Sequence, residues 1–157
     1  KRKPQFILDT LKELKRPVLW IDVDGTIYKV PEIFDSEYEY DWAARKKVSG
    51  RARIWHVGTM YFGYNERAIA FLEEWIKQAA HVENGSDELA LDLMWRMGGE
   101  AVTAASAGEL PKEYFQMLNP NQPDALKNTV IGHRASDGDS KRKFMNDKAK
   151  VDSNVKI

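Results

Sequence analysis

Residues 17–31 read Pro-Val-Leu-Trp-Ile-Asp-Val-Asp-Gly-Thr-Ile-Tyr-Lys-Val-Pro and place Asp22 and Asp24 at the end of an apolar run. A continuous run such as Val18–Val23 predicts a buried strand, and Gly25 then releases the chain into a loop. Carboxylates at the carboxyl end of a strand stand where an open α/β sheet holds its ligand. One residue separates the two aspartates, so on a straight strand both point to the same face. Oxygen donors this close together suit Mg²⁺ or Mn²⁺. The alternative without function is an acidic turn that caps a neighbouring helix, and the cost of burying unpaired acids after five apolar residues weighs against it. Asp-x-Asp itself serves two chemistries. It bridges a metal to a nucleotide-sugar diphosphate, or, followed by Gly-Thr, it forms the nucleophile loop of a phosphatase.

The remaining sequence predicts an α/β layered domain. Pro4 suits the first turn of a helix over Gln5–Leu14, with Ile7, Leu8, Leu11 and Leu14 on one stripe. Residues 30–53 are polar, with the basic run Arg45-Lys46-Lys47, and are expected to form an irregular excursion over the sheet. Ile54–Phe62 predicts a strand interrupted at Gly58, where a missing side chain marks close approach of a ligand or another backbone. Asn65 caps a helix whose stripe is Ile69, Leu72, Ile76 and Ala79. Ser86 caps another, with Leu89, Ala90, Leu93, Met94 and Met97 inward and Gly98-Gly99 as the stop. Ala101–Ala105 is expected as a short strand, Leu110–Tyr114 as a turn, 119–123 as a loop and Thr129–His133 as a last strand. Alternating strands and helices give an α/β domain over residues 1–136. Residues 137–157 are charged and poor in large apolar side chains, and are expected to be a tail or lid.

Composition narrows the partners. Of 157 residues, 24 are Lys or Arg and 24 are Asp or Glu, a balance that points away from a general nucleic-acid binder or a membrane-surface protein. The absence of cysteine excludes disulfides and thiolate metal sites. No apolar stretch approaches the ~20 residues of a membrane span, and no signal peptide is visible, so the expected location is cytoplasmic. The chain opens Lys-Arg-Lys-Pro without Met, so upstream sequence is expected.

Several other residues carry candidate chemistry. His133, at the end of the last strand, is able to add a nitrogen ligand to Asp22 and Asp24. Arg134 and Lys141, with Arg142 and Lys143, are placed to neutralise a diphosphate, against the alternative of a solvated tail. Asp87 and Glu88 open a helix, where the helix dipole alone favours acids. Their functional reading is that one of them faces the transferred group. His56 and His81 are read as structural or surface residues.

Taken in order, these segments resemble the GT-A glycosyltransferases, the nucleotide-diphospho-sugar transferases. The resemblance runs through Lys3-Pro-x-Phe-Ile-x-x-x-Leu11, Val18-Leu-Trp-Ile-Asp-Val-Asp24, Pro31-Glu-Ile-Phe34 and Asp41-Trp-Ala-Ala-Arg45. It continues through Gly58-Thr-Met-Tyr-Phe62 with Asn65, Ala68, Phe71-Leu72 and Trp75, then Ser86-Asp-Glu-x-Ala-Leu91, Leu110-Pro-x-x-Tyr114 and Val130-Ile-x-His133. It implies a three-layer mixed sheet flanked by helices, truncated at its N-terminal, nucleotide-binding side. It also implies transfer of a sugar from a nucleoside-diphosphate donor, a UDP-sugar as first choice, to an acceptor hydroxyl. Asp22, Asp24 and His133 would then hold Mn²⁺ or Mg²⁺. Asp87 and Glu88 would be catalytic, and Asp41, Gly58, Thr59, Arg134 and Lys141 would bind substrate. Two alternatives stay open. One is a haloacid-dehalogenase-like Mg²⁺-dependent phosphatase, with Asp22 attacking phosphorus, Asp24 as general acid/base, and Thr59, Lys127 and Asp137-Gly-Asp139 filling the remaining roles less well. The other is a non-catalytic binding module derived from the GT-A fold.

Overall fold

A computed structural model describes residues 3–35, 38–49, 52–82, 86–118 and 127–134, with the side chains of 47–49, 52–54 and 134 left aside. The expected loop at 119–123 and tail at 137–157 lie outside these residues, as does Lys141. Only the backbone of Arg134 is described.

Helix α1 (Lys3–Leu14) carries Pro4 in its first turn and buries Ile7, Leu8 and Leu11. Leu14 is exposed, because the last turn overruns the layer against which α1 packs. Lys15, at φ +50°, ends the helix in the left-handed region with its N–H on the carbonyl of Leu11, a stop usually given to glycine. Strand β1 (Val18–Ile21) follows, then the tight turn Asp22–Gly25, closed by the Gly25 N–H on the Asp22 carbonyl at 2.8 Å, and β2 (Gly25–Ile27). β3 (Trp42–Ser49) and β4 (Ala52–Phe62) form a long hairpin. Helices α2 (Glu66–His81), α3 (Asp87–Met97) and α4 (Glu100–Ala104) come next, then β5 (Ala107–Glu109), β6 (Gln116–Leu118) and β7 (Ile131–Arg134).

The main sheet has the order β1-β4-β3-β5, with β1 and β3 antiparallel to β4 and β5 parallel to β3. A second sheet, β2-β7-β6, takes up the chain beyond the Asp22–Gly25 turn. Alternation along β1 divides the core. Val18 and Trp20 face the helices with Met60, Phe62, Leu72 and Trp75, while Leu19 and Ile21 face a second cluster with Tyr61, Leu110, Tyr114 and Ile131. Asn65 caps α2 by accepting the Ala68 N–H at 2.9 Å, and Ser86 caps α3 through the Leu89 N–H at 3.1 Å. Among the described residues no helix is long and apolar enough to cross a membrane.

Four sequence expectations need correction. β1 is a half-buried edge strand, not a buried one. It stops at Ile21, and Val23 projects fully into solvent, so the two aspartates sit in a turn rather than on one strand face. The stretch 30–53 is an irregular excursion only in its first half, because from Trp42 on it enters β3, which is interior to the sheet with Trp42, Ala43 and Ala44 fully buried. Its basic run concealed the strand, although Lys46 lies with Nζ 4.6 Å from the centre of the Trp55 ring, so the charged tip covers an apolar neighbour. Ala101–Ala105 is mostly helical, in keeping with its alanines, and the strand falls at β5. In α3 the buried face is Ala90, Leu91 and Met94, while Leu89, Leu93 and Met97 are exposed. The helix has two apolar stripes, and Trp95, packed edge-on to Trp42 and Trp55, selects between them.

Candidate active site

The Asp22–Gly25 turn meets an irregularity in β4. Between the pairs Ala44↔Met60 and Lys46↔Trp55, β4 advances five positions where β3 advances two. The surplus residues around 56–59 form a bulge, which reorients side chains and bends the strand locally. Gly58 lies in it, so the predicted interruption is real although the strand continues on both sides. The Gly58 carbonyl accepts the Asp22 N–H at 2.8 Å, fixing the turn against the bulge.

β7 brings His133 into this junction, paired opposite Gly25. The imidazole is 2 % exposed and meets Thr59 Oγ1 through Nε2 at 2.7 Å and Asp24 Oδ1 through Nδ1 at 3.4 Å. Its ring stacks on Phe115 at 4.5 Å, and Phe115 stacks in turn on His56 at 4.2 Å. His56 Nδ1 lies 3.7 Å from Glu88 Oε1 in the first turn of α3. The close packing requires two glycines. A Cβ on Gly58 would stand 2.6 Å from the Phe115 ring and 3.2 Å from His133 Cε1, and one on Gly25 would stand 3.0 Å from the same Cε1.

Asp24 and Asp22 differ in their engagement. Asp24 is 40 % exposed and faces His133. Asp22 Oδ1 accepts from Trp20 Nε1 at 2.8 Å and is paired with Lys3 Nζ at 2.7 Å. The same ammonium donates to the Val57 carbonyl at 3.0 Å, so Lys3 fastens the start of α1 to both the turn and the bulge.

Among the described residues no three His, Asp or Glu side chains are grouped to hold a metal, so a cage built from protein alone is absent there. Mg²⁺, however, is commonly held by one or two carboxylates together with substrate phosphates and water. If Nε2–H donates to Thr59, the lone pair of Nδ1 faces the Asp24 carboxylate, an arrangement that a cation or a proton between them would satisfy. Asp24 and His133 thus offer one carboxylate and one imidazole nitrogen, a donor pair compatible in chemistry with a divalent ion.

Asp41 stands elsewhere. β1 and β4 pair from Val18↔Phe62 to Ile21↔Thr59, and Asp41, beside Trp42 opposite Phe62, lies at the far end from Asp24. Its buried carboxylate receives Arg67 Nε at 2.8 Å and Nη2 at 3.1 Å, the Ser106 N–H at 2.7 Å and the Ser106 hydroxyl at 3.0 Å. Burial raises its pKa, but the Arg67 and Ser106 hydrogen bonds and the Arg67 charge outweigh that and hold it below the ordinary carboxylate value. Asp87 is tied to the core through its carbonyl, which accepts Trp75 Nε1 at 3.0 Å.

Thus Asp24, Gly58, Thr59 and His133 meet at one junction, Asp22 adjoins it through the turn, and Glu88 reaches it through His56 and Phe115. The sequence assigned no site role to Lys3 or Phe115, and His56, read there as structural or surface, stacks on Phe115 beside the junction. His56 carried a usable signal, since it precedes Gly58 by two positions in a strand. Lys3 and Phe115 carried none, because their roles come from tertiary contacts.

No protein-family model matches the chain, and no curated protein matches it. Solved structures do. A glycosyltransferase involved in glycosylation of the major capsid of PBCV-1 aligns at 9 % identity and TM-score 0.64, over 92 % of this chain and 73 % of that one. The bifunctional glycosyltransferase WbbM aligns at 13 % identity and TM-score 0.56, over 87 % of this chain and 32 % of its own. The glycosyltransferase GlyE of Streptococcus pneumoniae aligns at 18 % identity and TM-score 0.52, over 83 % and 36 %. This chain thus spans about three quarters of the first and about a third of the other two. At these identities the likeness concerns the fold, which is of the GT-A type: mixed sheets flanked by helices.

Proposed function

We propose that the chain carries the metal-side half of a glycosyltransferase site, moving a sugar from a nucleoside-diphosphate donor, a UDP-sugar first, to an acceptor hydroxyl. The observation that carries this reading is the approach of Asp24 Oδ1 to buried His133 Nδ1 at 3.4 Å, built at a glycine bulge of a GT-A-type sheet.

Asp24 and His133 would hold Mn²⁺ or Mg²⁺. Bound there, the ion would supply Lewis-acid stabilisation of the departing diphosphate. The chain's own residues do the rest. Thr59 fixes the orientation of the His133 ring, and Phe115 holds it from one face. Lys3 and Trp20 hold Asp22, and with it the turn that presents Asp24. Gly58 keeps the junction clear of a side chain. In the transfer, the bond from the anomeric carbon to the diphosphate oxygen breaks, and a bond from that carbon to the acceptor oxygen forms. The acceptor proton leaves with a base. Asp87 and Glu88 are the candidates to face the sugar, with Glu88 joined to the junction through His56. Arg134 and Lys141 complete the proposal as partners of the diphosphate.

In the phosphatase reading Asp22 would attack phosphorus through Oδ2, since Lys3 and Trp20 both engage Oδ1. The test measures release of nucleoside diphosphate from UDP- and GDP-hexoses in Mn²⁺. Turnover lowered at least ~100-fold by His133→Ala, on the scale of lost metal-shell contacts, supports transfer. Phosphomonoester hydrolysis lost in Asp22→Asn, with sugar nucleotides untouched, would replace it with the phosphatase.

A further inference from the structure

At the end of β1 and β4 away from Asp24 lies a cleft of about 560 Å³, within the ~300–1,000 Å³ usual for small-molecule sites. Its aromatic part is a packed frame. Phe34 stacks on Tyr61 at 5.0 Å with an interplanar angle of 2°, and Tyr38 meets Tyr61 edge-on at 4.9 Å and Tyr40 at 5.3 Å. Tyr40 and Tyr64 line the same cleft while remaining 42 % and 43 % exposed.

The polar part is fixed in place. Asp41 takes Arg67 Nε and Nη2 and so orients the guanidinium, whose Nη1 has no hydrogen bond among the described residues. Asn65 uses its carbonyl oxygen for the helix cap and keeps its amide N–H donors. Glu39 adds a carboxylate at the wall.

The geometry points to a second carbohydrate site here, one that binds an uncharged sugar ring of a glycan separately from the Asp24–His133 junction. Three features select that ligand class. The exposed rings of Tyr40 and Tyr64, set beside the packed Phe34–Tyr61–Tyr38 frame, match the C–H face of a pyranose and give rigid contact at low entropic cost. Around them stand fixed donors and acceptors suited to hydroxyl groups. The charge disfavours an anion, because Arg67 is already neutralised by Asp41 and Glu39 contributes a further negative charge. Burial and the neighbouring Tyr40, Tyr61 and Tyr114 push the Tyr38 hydroxyl up to about 12, so it stays a neutral hydrogen-bond donor.

The site goes beyond the proposed transfer and would exist even if that chemistry were different. The experiment is saturation-transfer NMR on the full chain with lactose, maltose, cellobiose and N,N′-diacetylchitobiose, taken one at a time. The expected result is transfer to the ring protons of at least one sugar, lost in Tyr64→Ala and in Tyr40→Ala, kept in Asp24→Ala, and not displaced by inorganic phosphate. Because Tyr64 and Tyr40 are half exposed, an unchanged thermal midpoint shows that the variants fold. Transfer absent for all four sugars, kept in the double tyrosine variant, lost in Asp24→Ala or displaced by phosphate would each overturn the assignment. Loss in Asp24→Ala alone would place the sugar at the transfer junction, which leaves the transfer reading intact and removes this one.

Discussion

The two ends of the β1–β4 pair each hold an aspartate, and they use it in opposite ways. At one end Asp41 is buried and receives four hydrogen bonds from Arg67 and Ser106. At the other, Asp24 is 40 % exposed and faces a buried imidazole at 3.4 Å. A carboxylate whose acceptor capacity is filled by its own chain stabilises that chain. One that projects toward a buried histidine while open to solvent retains capacity for a ligand. Asp41 is bound by its own chain and Asp24 is open to solvent, so each can be broken independently.

The largest effect is expected from Asp24→Ala, which should lower nucleoside-diphosphate release by at least ~100-fold while unfolding midpoints stay within a few degrees. Asp41→Ala should do the reverse. Removing acceptors from the Ser106 N–H and Arg67 should cost about 2–3 kcal/mol in denaturant unfolding, with donor turnover kept in the folded fraction. The pH dependence follows from the lowered pKa of Asp41. Its contribution is complete above the unfolded carboxylate pKa of ~3.9 and is lost as pH falls through the folded value. Asp41→Asn should therefore flatten the acid limb of the stability curve. Thr59→Val, which removes the hydroxyl at Nε2 and keeps the shape, should lower turnover roughly 10-fold. The smallest effect belongs to Leu93→Ser on the exposed stripe of α3, within about 0.5 kcal/mol.

The pattern of what could be read from sequence follows the same division. Helix starts at Asn65 and Ser86 and the break at Gly58 were legible, because capping and glycine geometry are local. β3 was hidden because Lys46 reaches over Trp55, a contact that residue type alone does not reveal. Asp24 and His133 were legible as residues of one site, but the seat of Thr59 on the His133 ring was not, since it depends on a bulge seen only in the β3–β4 register. Asp41 resembled a ligand-binding acid by position, and only its partners from α2 and the 106 loop show how its oxygens are used. Lys3, which clamps Asp22 from a helix start 19 residues away in sequence, is legible only in three dimensions.

Whether Asp24 and His133 together hold a divalent cation, as proposed, is tested without relying on turnover by direct Mn²⁺ titration followed by electron paramagnetic resonance, with nucleoside diphosphate present. Bound Mn²⁺ is expected in the wild-type chain and in Asp41→Asn, with affinity lowered roughly 10- to 100-fold or more in Asp24→Asn and in His133→Ala. Equal Mn²⁺ binding in all four proteins would contradict the proposal.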